Sequence, residues 1–108
     1  MDNQPNNNQS IEVLQVKIIS PKETLFEGPA LSVSSKNTVG KFDILPEHAN
    51  FITVVKDEPI IIRQPNKPDV TFKFSFAVIY NNNNQVKIYT DIQLFFNPNQ
   101  PTQNLNTS

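Results

Sequence analysis

Apolar and polar positions alternate with a period of two through most of the chain between Ile11 and Phe96. Leu14, Val16 and Ile18 are separated by Gln15 and Lys17, the pattern of a strand with one face buried and the other wet. Ser20-Pro21-Lys22 ends that run, Thr24 to Glu27 predicts a short second strand closed by Gly28-Pro29, and Ala30 to Ser34 alternates again. Gly40 to Ala49, G-K-F-D-I-L-P-E-H-A, then interrupts the pattern, which resumes at Phe51, Ile52, Val54 and Val55, so the segment predicts a chain reversal between two strands. Asn50 to Val55 and Pro59 to Gln64 are β-branched runs separated by Lys56-Asp57-Glu58, and two prolines between Gln64 and Asp69 bar a continued ladder. Val70 to Tyr80 predicts one long strand with Phe72, Phe74 and Phe76 on a single core-facing side. Asn81 to Asn84 reads as a turn enlarged by compositional drift, because asparagine tolerates left-handed backbone, and Val86, Ile88 and Thr90 form the last clear strand. No stretch has a trustworthy helical period. The expectation is an all-β, flattened sandwich of about eight to ten short, mostly antiparallel strands.

The ends break the pattern. Met1 to Ser10 is rich in Asn and Gln, and Asn97 to Ser108 combines Pro98 and Pro101 with no apolar period. Neither offers enough apolar surface to offset the entropy of ordering, so disordered tails are expected at 1–10 and 97–108 around one domain at 11–96. A chain of 108 residues, 37% hydrophobic, supports one small domain with a modest core. Its net charge of −1 provides no overall basic field for nucleic acid or anionic lipid. The absence of cysteine excludes disulfides and thiolate metal sites. No basic and apolar leader pattern occurs, and no apolar run is long enough to span a bilayer.

Candidate chemistry is sparse. His48, the only histidine, stands beside Glu47 and five positions after Asp43, without a phosphate loop or a nucleophile elbow. A lone histidine behind a proline turn is more often a packing or interface residue than a catalyst or metal ligand. The phenylalanine row could suggest base stacking, but Lys73 is the only cation among the rings, so a core role is favoured over nucleic-acid binding. Glycine is absent at position 47, and glutamate there favours a type I turn over type II.

The order of several short motifs resembles the epsilon subunit of F-type ATP synthase, in its N-terminal β-sandwich domain. Leu14 to Pro21 matches a V-x-x-V-x-(S/T)-P first strand, and Phe26-Glu27-Gly28 an F-x-G closing the second. Gly40, Ile44, Pro46, His48 and Ala49 match G-x-x-G-I-x-P-G-H-A, and Ser75-Phe76-Ala77 stands where the family has Ser-Gly-Gly. Asp43, Glu47, Phe76 and Ala77 replace family glycines. The resemblance implies a non-catalytic central-stalk subunit without cofactor or metal, peripheral to the cytoplasmic face of a bacterial membrane. It would link the gamma subunit to the c-ring and couple proton flow to ATP synthesis. Carried over, the c-ring contact falls on Lys36, Asn37, Thr38, Val39, Gly40, Lys41, Phe42 and Asp43, and the gamma contact on Pro46, Glu47, His48 and Ala49. The family's helical hairpin follows the sandwich, where this sequence has a short polar tail, so coupling without hydrolytic inhibition or ATP binding is expected. The alternative is a stand-alone binding module that kept the fold and left the rotor.

Overall fold

A computed structural model describes residues 12–91. The expected tails at 1–10 and 97–108, with Ile11 and the apolar run Ile92 to Phe96, lie outside the described residues. Among the described residues the chain forms β1 (Leu14–Ile19), β2 (Thr24–Ala30), β3 (Ser32–Lys36), β4 (Lys41–Ile44), β5 (Phe51–Val55), β6 (Pro59–Arg63), β7 (Val70–Lys73), β8 (Ala77–Asn82) and β9 (Gln85–Thr90). They make two layers, a five-stranded sheet in the order β2-β1-β9-β8-β5 and a four-stranded sheet in the order β4-β3-β6-β7. The expected all-β sandwich is the fold observed.

The alternation explains the layering. Leu14, Val16 and Ile18 of β1, Ile79 of β8 and Val86 and Ile88 of β9 point from the five-stranded sheet into the core. They meet Val33, Ile44, Ile60 and Ile62 from the four-stranded sheet, all essentially without solvent exposure. A one-residue slip in any of these strands would turn its apolar side to water, so burial specifies the register. All neighbouring strands are antiparallel except β1 and β9, which run parallel with Val16 opposite Val86 and Ile18 opposite Ile88.

Three expectations about element bounds are corrected. Gly28-Pro29 does not close β2, which continues to Ala30 with Pro29 opposite Gln15. β2 is a sheet edge, where the missing proline N–H breaks no ladder. The supposed reversal from Gly40 contains a strand, β4, in which Phe42 and Ile44 turn inward while Lys41 and Asp43 face solvent. Val70 to Tyr80 is two strands, because residues 74–76 carry the chain from the four-stranded sheet to the five-stranded one. That crossing removes Phe76 from the expected phenylalanine row. Phe74 is buried and stacks on Phe72 at 5.8 Å, Phe72 meets the edge of Phe26 at 6.0 Å, and Phe76 is more than one-third exposed.

Candidate docking surface

Two loops at the two ends of β4 carry the residues singled out in the sequence. The first is the β3–β4 hairpin. Lys36 and Lys41 are its last cross-strand pair, and the Asn37 N–H donates to the Gly40 carbonyl at 3.0 Å. Asn37 organises the tip: its Oδ1 accepts from the N–H groups of Val39 and Gly40 at 2.9 and 3.1 Å, and its Nδ2 donates to Thr53 Oγ1 at 2.9 Å. Gly40 sits at φ 148°, a region closed to side-chain-bearing residues. Val39 is consequently held out at 94% exposure between two lysines.

Of the eight residues expected to form this contact surface, six are exposed or frame the tip. Asn37 is the half-buried brace, and Phe42 packs inward on Phe51, ring centroids 5.5 Å apart. Only 37–40 is loop; Lys36 ends β3, and Lys41, Phe42 and Asp43 belong to β4. Asp43 accepts a short hydrogen bond from the Ser34 hydroxyl. Like charges directly opposite in a ladder repel, so the Lys36–Lys41 pair leaves a local positive field at this end.

The second loop is Leu45-Pro46-Glu47-His48. The His48 N–H donates to the Leu45 carbonyl at 3.0 Å, and Glu47 has φ 72°. A positive φ at the third turn position, behind proline, defines type II, so the type I turn expected from glutamate is corrected. What holds a non-glycine residue there is asparagine. Asn84 Oδ1 accepts from the Glu47 N–H at 2.8 Å, Asn81 Nδ2 donates to the carbonyls of His48 and Ala49 at 3.3 and 3.1 Å, and Asn50 Oδ1 accepts from the Asn83 N–H at 3.0 Å. Asn83 and Asn84, at φ 51° and 66°, form the two-residue link between β8 and β9. The asparagine run is therefore a latch that ties this turn to the five-stranded sheet, not compositional drift. Spacing in the sequence could not reveal it, because its bonds join residues 32 to 37 positions apart.

His48 Nδ1 lies 2.8 Å from the Ala49 carbonyl, which requires the proton on Nδ1, and its ring meets the edge of Phe51 at 5.4 Å. Phe51 thus touches both Phe42 and His48, so the rings join the two loops along the side of the sandwich made by β4 and β5. Glu12 comes to the same turn. Its carboxyl is held above the ordinary value of 4.5, first by a hydrogen bond with Glu47, then by the Glu47 charge, with a small further push from burial.

This is a rigid two-layer sandwich with two braced loops on one side, the form of a docking module. The chain belongs to the ATP synthase delta/epsilon chain β-sandwich domain family, whose model matches residues 13–94. It is 26% identical over 78 residues to the ATP synthase epsilon chain of Ureaplasma parvum serovar 3, covering 71% of this chain and 57% of that one. It is 28% identical over 81 residues to the ATP synthase epsilon chain of Clostridium kluyveri, covering 75% and 61%. The chain thus spans about three-fifths of the length of these curated relatives. Among solved structures, the fold matches a chain of the Euglena gracilis mitochondrial ATP synthase with a TM-score of 0.68 and 12% identity, covering 78% of this chain and 54% of that one. A chain from the central stalk and c-ring of the Tetrahymena thermophila mitochondrial ATP synthase matches at 0.62 and 15%, covering 87% and 80%.

Proposed function

We propose that this protein is a non-catalytic rotor subunit of a proton-translocating F-type ATP synthase, joining the gamma subunit to the c-ring. Family membership across nearly all of the described residues carries the reading, and the curated relatives bear the name epsilon chain. The Tetrahymena match, a chain of a central stalk and c-ring assembly, agrees with it in fold. In this reading the gamma subunit meets Pro46, Glu47, His48 and Ala49, on a turn stiffened by the asparagine latch. The c-ring meets the β3–β4 hairpin through Lys36, Thr38, Val39, Gly40, Lys41 and Asp43, with Asn37 and Phe42 supporting from behind. A coupling element must transmit torque without yielding, and bracing of both loops by side-chain hydrogen bonds serves that need. The subunit then lies peripherally on a membrane complex, at the cytoplasmic face in a bacterium; no helix among the described residues is long and apolar enough to cross a membrane.

The positive hairpin makes the ring contact testable. Complementary ring loops must be acidic, since basic loops would repel Lys36 and Lys41. Co-expression with the cognate gamma and c subunits should yield a complex retaining this protein. Lys41→Glu should weaken ring binding several-fold at low salt and much less at high salt, where screening is stronger. Failure to co-purify with either subunit would favour a stand-alone binding module, and salt-independent binding of the variant would remove the electrostatic part of the model.

A further inference from the structure

The outward side chains of the five-stranded sheet divide into a polar corner and an apolar one. Along one row, Ile19 of β1 stands opposite Tyr89 of β9, Tyr89 opposite Val78 of β8, and Val78 opposite Val54 of β5. The next row runs from Lys17 and Lys87 to Tyr80 and Ile52, so its far end extends the apolar area while its lysines bound it. Phe76, two positions before Val78, adjoins Val54 at the rim, where the two line an open groove of about 500 Å³ beside the β3–β4 hairpin. Ile52, Val54, Phe76, Tyr80 and Tyr89 are five of the eight large hydrophobic side chains exposed among the described residues, Ile52 by 65%. Such side chains scattered singly need no explanation, whereas a contiguous set marks a surface that something covers.

We propose that the cover is the chain's own segment 92–96, folded back over this corner from the end of β9. The point of exit selects it. β9 ends at Thr90, one residue past Tyr89 of the apolar row, and Thr90 stands opposite Ala77, the neighbour of Phe76. The chain therefore leaves the sheet at the apolar corner. Ile92, Leu94, Phe95 and Phe96 follow at once, and residues 92–108 carry no charged side chain to be desolvated against the face or repelled by its lysines. Length suffices, because β5 lies two strand spacings from β9, about 10 Å, and five extended residues span about 17 Å. The other end of the chain fails on both counts. β1 runs parallel to β9, so the chain enters it at the opposite end of the sheet, and residues 1–11 offer only Met1 and Ile11 as large apolar side chains. The inference does not depend on the rotor assignment.

Both tyrosines of the chain, Tyr80 and Tyr89, stand on this corner and the chain has no tryptophan, so acrylamide quenching of intrinsic fluorescence reads the accessibility of this face alone. Leu94→Ser/Phe95→Ser/Phe96→Ser should raise the quenching constant about twofold by uncovering both rings, with the circular dichroism of the sandwich unchanged. In the unaltered full chain, nuclear Overhauser contacts should join the Phe95 or Phe96 ring to Val54, Val78, Tyr80 or Tyr89. Dilution should leave the quenching unchanged, as a cover tethered within one chain requires. Should the triple variant unfold, the ring contacts in the unaltered chain decide. Equal quenching in the two folded proteins, absence of those contacts, shielding that grows with protein concentration and so comes from a second copy, or shielding that appears only when the gamma subunit is added would each overturn the proposal.

Discussion

Glu47 combines two unfavourable features at one position. Its backbone occupies the left-handed region, which costs a side-chain-bearing residue about 1–2 kcal/mol relative to right-handed geometry, and its carboxyl lies against that of Glu12, which it holds above the ordinary value. The second feature gives a pH dependence with a definite sign. The folded chain holds the Glu12 proton more tightly than the unfolded chain does, so the folded state binds more protons just above 4.5. The associated stability is complete below that value and is lost as pH rises through the folded value. Urea unfolding at low salt between about pH 4 and about pH 7 should show this small decline superimposed on the other titrations. Glu12→Gln should remove it. Glu47→Gly should remove it too and, by relieving the backbone, raise the neutral-pH midpoint, with a gain of about 1 kcal/mol at most because glycine also loosens the unfolded chain. A decline that persists in both variants would place its origin elsewhere. Asn81 is the counterpart of Glu47 in the latch: it is wholly buried, both of its amide bonds go to the turn, and its Oδ1 has no protein partner.

Among the elements, the β3–β4 hairpin and β2 each contain one of the two glycines, and the structure gives the glycines unequal roles. A methyl group on Gly28 would lie 3.8 Å from the Phe26 ring, an ordinary contact. At Gly40 the space is open, but φ 148° excludes a side chain on backbone grounds. Gly28→Ala should therefore change stability by less than about 0.5 kcal/mol, whereas Gly40→Ala should cost about 1–3 kcal/mol. Chemical denaturation of the two single variants compares them directly. Equal effects would mean that the hairpin relaxes into another turn. The same variant should loosen the Lys36–Lys41 end, so any ring contact should weaken with it.

The whole molecule is closed by its first and last described strands, since β1 lies between β2 and β9 and pairs with the latter in parallel. No short loop can make a parallel pair, so this join forms only when distant parts of the chain meet, and the sandwich should unfold as one unit. Leu14 is fully buried at the start of β1. Leu14→Ala should cost about 2–5 kcal/mol and shift the unfolding of both sheets together, read by tyrosine fluorescence and far-ultraviolet circular dichroism. Two separate transitions would show that the layers are independent.

The sequence by itself determined the fold class, most of the strands, and the family, because side-chain alternation and turn-forming residues are local signals that report which face of a strand is buried. It also located both candidate loops, whose Gly40 and Pro46 are local constraints. What required tertiary structure was everything set by residues far apart. Alternation runs from Val70 to Phe76 and passes without a turn-forming residue into the apolar run Ala77 to Tyr80, so no local signal marked the passage between sheets that takes Phe76 out of the core. K-F-D-I is too short, and too close to a turn, to declare itself as β4 before its partner β3 is in place. The type II turn at Glu47 runs against local preference and is held by Asn81 and Asn84, over thirty positions away. Backbone preferences of about 1 kcal/mol decide a turn only when nothing else touches it; here three hydrogen bonds from the β8–β9 region outweigh them.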